Sequence, residues 1–274
     1  MKKLLILSFI IFTSITTYAQ SFKSKLDGAK KVVFVVTNSD LWIEAYDGGE
    51  LVIEASGYEK PPKRAEGLRP MYNSVQDNTG IGLYIHKEGD VLKVVRASSR
   101  RNTDYKIKLP KRIDVVIEEA NWQGGDFNVD GMEGEVEIKA KNADLFLKNV
   151  SGPIVAHSTS GNIQVVYTNI APDKPSAITA TSGYVDVTLP KNAKVDITLK
   201  AISGEIYTDF DVVMEKKMKD SKHNDGDDKN HKHDDCYRCD YDWGRGSIKG
   251  KINGGGVTLT LKAISGDIYL RKAK

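Results

Sequence analysis

The feature that most constrains the fold of this chain is a nine-residue repeat in its middle third. A small residue, Gly or Ala, recurs at positions 125, 134, 143, 152 and 161. The second and fourth residues after each small one are apolar, as in the segment Gly134-Glu135-Val136-Glu137-Ile138. An apolar residue at every second position is typical of a β-strand with one buried face. Each repeat therefore predicts one short strand and one turn, in which we expect the glycine to adopt a positive φ.

A longer repeat lies near the C-terminus. Residues 198–207 and 260–269 agree at nine of ten positions, and the tenth exchanges Glu205 for Asp267. A single short strand cannot bury its apolar face alone, so such units must stack on one another. The recurrence of the same small residue at every turn favours a parallel β-solenoid. An antiparallel β-sandwich is the alternative, because a meander also tolerates nine-residue spacing.

The N-terminal part of the chain predicts β-structure of less regular spacing. Short alternating or apolar runs lie at Val32–Val36, Leu41–Ala45, Leu51–Ala55, Ile81–Ile85, Val91–Val95 and Tyr105–Leu109. Between them, the polar segment Glu59–Asn78 contains three prolines and predicts an exposed loop. Helical periodicity is absent, so we expect an all-β chain. We divide it into a β-rich region at 20–110 and a repeat domain at 111–274, which a polar insert at 211–246 interrupts.

The first 19 residues predict a signal peptide. Lys2 and Lys3 precede an uncharged apolar run, and the small residue Ala19 marks the expected cleavage position. The run is shorter than the roughly 20 residues that a membrane-spanning helix needs. Without those two lysines the chain has 38 basic residues (40 minus 2) against 37 acidic ones, a balance that disfavours a dedicated nucleic-acid binder. We expect an exported protein, periplasmic, on the cell surface or secreted, with no transmembrane segment after signal removal.

Several motifs resemble a known family. They are Tyr105-Lys106-Ile107-Lys108-Leu109-Pro110, the nine-residue repeats, the paired Ser-Gly-acid-Ile-Tyr segments, and Ile252-Asn253-Gly254-Gly255-Gly256 ahead of Thr258-Leu259-Thr260-Leu261. Together the motifs resemble a family of exported bacterial β-strand-repeat proteins labelled putative adhesins, a domain of unknown function. The resemblance covers about two thirds of the chain and implies a β-solenoid-like fold in a surface or periplasmic setting. It implies no catalytic residues, and the insert at 211–246 departs from the family pattern.

The insert contains the residues best suited to bind a metal. His223, His231, His233, Cys236 and Cys239 offer nitrogen and sulfur ligands at short spacing, a set suited to zinc and tolerable to other transition metals. Three alternatives remain open. The two cysteines form a local disulfide in an oxidising compartment, they remain a thiol pair, or the whole segment is a solvated polar loop.

Other candidate residues give weaker signals. His157 stands next to Ser158, but adjacency in sequence is not the geometry of a catalytic triad. Acidic residues recur at the repeat period and predict either a cation-binding ladder or plain polar turns; they are Asp126, Glu135 and Asp144. Three tryptophans are candidate platforms for stacking on sugars, namely Trp42, Trp122 and Trp243.

These observations predict a non-enzymatic, exported module that acts through its surface in interaction or adhesion, with no catalytic or cofactor-binding residues. The expected partner is a surface glycan or an envelope protein, and not a nucleic acid. The alternative is a periplasmic protein that binds metal or senses envelope stress through the insert.

Overall fold

The computed structural model describes residues 20–68, 70–71, 73, 75–97, 102–214 and 247–274, and the regular secondary structure of this part is almost entirely β-strand. Its strands are β1 (Gln20–Lys25), β2 (Lys31–Val36), β3 (Leu41–Tyr46), β4 (Glu50–Ser56), β5 (Leu83–Glu88), β6 (Val91–Arg96), β7 (Asp104–Pro110), β8 (Asp114–Glu119), β9 (Phe127–Asp130), β10 (Val136–Ala140), β11 (Leu145–Val150), β12 (Ile154–Ser158), β13 (Ile163–Tyr167), β14 (Ser176–Ala180), β15 (Val185–Leu189), β16 (Val195–Ala201), β17 (Ile206–Thr208), β18 (Val213–Met214), β19 (Ile248–Ile252), β20 (Val257–Ala263) and β21 (Ile268–Lys272). One 3₁₀ turn, Lys63–Ala65, is the single helical element among the described residues.

The strands form two open sheets. Sheet A has the order β1-β4-β7-β3-β9-β11-β13-β15-β21-β17, and sheet B has the order β18-β19-β16-β20-β14-β12-β10-β8-β2-β6-β5. Through the repeats the chain alternates between the sheets, so β8 in sheet B leads to β9 in sheet A and then to β10 in sheet B. One strand from each sheet makes one coil. The coil strands pair in parallel, which confirms the predicted β-solenoid.

The nine-residue repeat is half of one coil. Phe127 stands opposite Leu145, and Leu145 stands opposite Ile163, so the same sheet position returns every 18 residues. The inward residues of these strands are fully buried and form one continuous core between the two sheets. The sheets thus face each other as in a sandwich, but the coil strands within each sheet are parallel, and the antiparallel alternative is wrong for them.

The glycines that begin the nine-residue repeats have a structural role that differs from the positive φ predicted from the sequence. Only Gly125 among those of the five nine-residue repeats has a positive φ, at 146°. In the others, a carbonyl oxygen of the preceding coil occupies the place where a Cβ would stand: Ala143 faces Gly161, and Gly134 faces Gly152. The close stacking of the turns therefore favours glycine at these positions. Ala143 is the exception, and its methyl group is accommodated in a fully buried position.

The coils do not stack in chain order at the two ends. The C-terminal coil, β20–β21, lies between β14–β15 and β16–β17. The two near-identical segments consequently stack in register, with Thr198 opposite Thr260 and Tyr207 opposite Tyr269. At the other end, β2–β3 lies between β6–β7 and β8–β9. Antiparallel strands cover most of the coil edges, since β4 pairs with β7, β5 with β6 and β19 with β16.

Candidate functional site

The outward side chains of sheet A form a row that crosses eight neighbouring strands. Cross-strand register places them in the order Lys106, Trp42, Asn128, Phe146, Gln164, Asp186, Tyr269 and Tyr207. We refer to these eight residues as the sheet A row. At the usual separation of about 4.8 Å between strands, the row is roughly 34 Å long. Four aromatic rings share it with amide, carboxylate and ammonium groups, and the two tyrosines at its end are adjacent.

A groove lies at one end of the sheet A row. Trp42 and Phe146 flank Asn128 there, on strands two apart, and the groove has a volume of about 510 Å³. The Trp42 side chain lies at the surface, since the residue is 37% exposed. The charged residues that line the groove are Glu44, Glu54, Lys106, Lys108, Asp130 and Lys148. Three lysines against three carboxylates leave the groove without net charge.

A tyrosine cluster lies at the other end of the row. The rings of Tyr207 and Tyr269 are stacked, with 5.3 Å between their centroids and 10° between their planes, and Tyr184 meets Tyr269 edge-on. The Arg271 guanidinium lies 5.0 Å from the centroid of the Tyr269 ring. The Tyr269 hydroxyl donates to Asp267 over 2.9 Å, and this hydrogen bond raises the pKa of Tyr269. Tyr207 is 52% exposed, so one side of the stack is open to a ligand.

The groups of the sheet A row are suited to binding a sugar chain. Aromatic rings offer flat apolar surfaces, and amide and carboxylate groups exchange hydrogen bonds with hydroxyls. Exposed aromatic residues set among polar ones are typical of ligand-binding surfaces. The arrangement binds and orients; it contains no histidine, serine or cysteine that could act as a nucleophile or its base.

The serine and histidine noted in the sequence do not form a hydrolase site. His157 points outward from sheet B and is exposed, whereas Ser158 is fully buried and donates to the Ala143 carbonyl over 3.0 Å. Alternation along β12 therefore places the two side chains on opposite faces of the sheet. The hydroxyl that lies near the His157 imidazole is instead that of Thr159, whose Oγ1 is 3.5 Å from His157 Nε2.

The recurring acidic residues act as turn residues. Asp126 and Asp144 lie at the start of sheet A strands, and Glu135 lies at the start of a sheet B strand, so the three do not form one ladder. Asp144 accepts the backbone N–H of Asn162 in the next coil over 2.7 Å. Burial and the carboxylates of Asp40 and Asp144 raise the pKa of Asp126. In the described ranges no three His, Cys, Asp or Glu residues are grouped to hold a metal ion.

The residues predicted to bind metal lie outside the described part of the chain. His223, His231, His233, Cys236 and Cys239 all fall within 215–246. Both the metal site and the alternative disulfide thus stay predictions, as does any role of Trp243.

Two buried charged residues were not identified from the sequence. The Glu119 carboxylate accepts backbone N–H groups from Gly124, Lys141 and Asn142 over 3.1, 2.6 and 2.8 Å, and so joins the turns of two coils. Arg96 donates to the Thr103 carbonyl over 2.9 Å and contacts the Ser39 hydroxyl. The alternation of inward and outward residues along each strand could have identified them, because each is the last residue of its strand and lies at an inward position.

An open two-sheet β-solenoid with a continuous outward row defines a repeat protein that presents an extended surface. Residues 110–235 match the family model of the Toastrack DUF4097 domain, a domain of unknown function. Among curated proteins, none matches the chain. No helix among the described residues is long and apolar enough to cross a membrane.

Two solved structures are similar to the chain. One is described as a putative cell adhesion protein from Clostridium sporogenes ATCC 15579; it shares 12% identity, covers 93% of this chain and 100% of its own, and has a TM-score of 0.43. The other is described as a putative adhesin from Bacteroides fragilis NCTC 9343, with 13% identity, coverage of 94% and 98%, and a TM-score of 0.29.

Proposed function

We propose that the protein is an exported, non-enzymatic interaction module of the cell envelope or surface, and that the sheet A row binds a glycan. The observation that carries the proposal is the row itself. Four aromatic side chains, those of Trp42, Phe146, Tyr269 and Tyr207, stand together with four polar ones along roughly 34 Å of open sheet. The signal-peptide pattern of residues 1–19 supports export.

The character of the groove favours a glycan without charge over a protein partner. A protein interface usually buries a contiguous apolar centre inside a polar rim. In the groove, by contrast, the polar Asn128 stands between the rings of Trp42 and Phe146, so each ring meets its own segment of ligand. Three lysines and three carboxylates balance, which removes any preference for an ionic polymer.

The direct test is a binding measurement with neutral linear oligosaccharides. Gluco-, xylo- and chito-hexaose are titrated into the full chain by calorimetry. We expect Trp42→Ala to weaken binding of the recognised sugar at least about tenfold, a loss of about 1.4 kcal/mol. Trp122→Ala is the matched control, because Trp122 is 59% exposed, lies between β8 and β9 and is not part of the row. The proposal is wrong if none of the sugars binds, or if both variants lose equally.

The length of the row gives a second test. Tyr207 lies at the end of the row opposite to Trp42, so a short sugar bound in the groove does not reach it. We expect Tyr207→Ala to weaken binding of a long polysaccharide and to leave a trisaccharide unaffected. Equal effects on both ligands would contradict a single extended binding surface.

Export is tested separately. The mature protein isolated from the producing cells is expected to begin at Gln20 and to be recovered outside the cytoplasm. An intact Met1 on the cytoplasmic protein would remove the export part of the proposal.

A further inference from the structure

Four lysines form a patch on the outward face of sheet B, opposite to the sheet A row. Lys249 and Lys251 lie on β19, Lys200 on β16 and Lys262 on β20. We refer to them as the sheet B lysine patch. The three strands are neighbours and together span about 10 Å. Lys200 stands directly opposite Lys262 in the parallel pair.

Within the described residues one carboxylate stands among the four lysines of the patch, that of Asp196 directly opposite Lys251. None of its four lysines forms an ion pair there, whereas Lys93 and Lys139, elsewhere on the same face, pair with Glu88 and with Glu118 and Glu137. The single outward carboxylate on the three strands belongs to Asp196, and its Oδ1 accepts the Gly256 N–H over 3.3 Å. The patch therefore carries a net charge of about +3 at neutral pH.

The register of the patch sets two of its positive charges against each other. Like charges directly opposite each other on neighbouring strands are destabilising. The repeat of the segment Thr198–Tyr207 as Thr260–Tyr269 places Lys200 and Lys262 in this position. A bound polyanion relieves the repulsion, because each ammonium group then has an opposite charge beside it.

The residues between the lysines indicate what kind of polyanion fits. Thr198 and Thr260 stand opposite each other, and Thr258 lies next to Asp196, so hydroxyls separate the ammonium groups on a flat surface. Hydroxyls donate to and accept from sugar hydroxyls. The outward positions of the three strands carry no Trp, Phe or Leu to enter a lipid interface, and no aromatic ring on which a base could stack.

We propose that the sheet B lysine patch binds a linear polyanionic glycan, one that carries carboxylates along its chain. The inference goes beyond the proposed function, because it assigns a second ligand to the opposite face of the molecule. A protein with a neutral glycan on sheet A and an anionic glycan on sheet B connects two polymers.

The experiment measures binding of polygalacturonate to the full chain at low and at moderate salt. We expect the double variant Lys200→Gln, Lys262→Gln to bind at least about tenfold more weakly, and wild-type binding to fall as salt rises. The matched control is Lys23→Gln, Lys25→Gln, which removes two exposed charges from β1 at the far edge of sheet A. It is expected to bind as the wild type does.

A second variant and two competing probes complete the test. Lys249→Gln changes an exposed side chain that no packing depends on, and it should weaken binding even if the double variant folds poorly. Absence of polygalacturonate binding overturns the proposal, as does an equal loss in the β1 control. Tighter lysine-dependent binding to phosphatidylglycerol vesicles or to duplex DNA overturns it too. Trp42→Ala should retain polygalacturonate binding, so this inference and the proposed function fail separately.

Discussion

The carbonyl oxygen of Gly161 lies against the Cα of Gly183 on the next coil, in the place that a Cβ on Gly183 would fill. The same relation continues through the stack, from Gly183 to Gly266 and from Gly266 to Gly204. Backbone atoms on both sides fix this distance, so no side chain can move away to make room. The turns of the solenoid are packed backbone against backbone.

Replacement of Gly183 by Ala is therefore expected to destabilise the protein. The new methyl group meets the Gly161 carbonyl, and the coils must separate locally, at a cost of about 1–3 kcal/mol or more. The control is Gly49→Ala, because Gly49 has open space around its Cα and no positive φ. Urea unfolding should show a lower midpoint for Gly183→Ala and a change within about 0.5 kcal/mol for the control. Equal midpoints would show that the turns can move apart freely.

Glu119 is expected to be essential for the turn that follows β8. Glu119→Ala leaves the N–H groups of Gly124, Lys141 and Asn142 without their acceptor, and we expect a loss of about 2–4 kcal/mol in the free energy of unfolding. The neighbouring Glu118 faces outward, pairs with Lys139 at the surface and serves as the control. Glu118→Ala should cost less than about 1 kcal/mol. Similar losses in both variants would contradict the role of the buried carboxylate.

Asp77, in the loop before β5, should make the free energy of unfolding depend on pH in the acidic range. Burial alone would raise the pKa of Asp77, but backbone N–H groups of Thr79 and Gly82 and the hydroxyls of Tyr58 and Thr79 donate to its carboxylate and lower the pKa below its ordinary value. A carboxyl whose pKa is lower in the folded state stabilises the fold above its unfolded pKa, about 3.9. This stability is lost as the pH falls through the folded pKa.

The measurement compares thermal unfolding of wild type and Asp77→Asn between about pH 7 and pH 2. The variant should be less stable at neutral pH, and the difference should shrink below about pH 4 because the wild-type carboxyl is then protonated. Asp90→Asn, at an exposed position of the β5–β6 turn, should follow the wild-type curve. A constant difference over the whole range would contradict the assignment to Asp77.

The insert prediction has its own test. The reduced full chain is expected to bind zinc through His223, His231, His233, Cys236 and Cys239, and Cys236→Ser should weaken this uptake, because it removes one of the thiolate ligands. His157→Ala, at an exposed site on sheet B, is the control. If the protein as isolated lacks free thiols and the reduced form takes up no zinc, the local disulfide is the correct alternative.

The local parts of the fold were predictable from the sequence. Alternation identified the buried residues of the repeats, such as Ile163 and Val165, and the observed strands follow the predicted runs closely, with β5 shifted to start at Leu83 rather than Ile81. Strand β1 was missed, since its polar alternation gives no strong apolar signal. The order of the coils depends on pairing between strands that are far apart in sequence. The local sequence of a coil does not show whether it stacks on the coil that precedes it in the chain or lies between two earlier coils.

The candidate site was predictable only in part. Trp42 was one of three tryptophans considered for stacking on sugars, and it alone of them lies on the sheet A row among the described residues. Asn128 and Phe146 join it through register. The register of Asn128 and Phe146 follows from the 18-residue coil, of which the sequence shows only the nine-residue half. Trp42 joins them through the pairing of β3 with β9, which no local repeat indicates.

The place of the C-terminal coil also determines when folding can be completed. Residues 257–272 are synthesised after both of their neighbouring coils. The hydrogen bonds on either side of β20 and β21 therefore form only after β14–β17 have left the ribosome, and the solenoid cannot grow simply by adding each coil to the one before it. Until then, the edge of β14–β15 is open to β16–β17, whose segment Thr198–Tyr207 nearly copies Thr260–Tyr269. The coil β20–β21 must compete with an earlier copy of itself for the same partners.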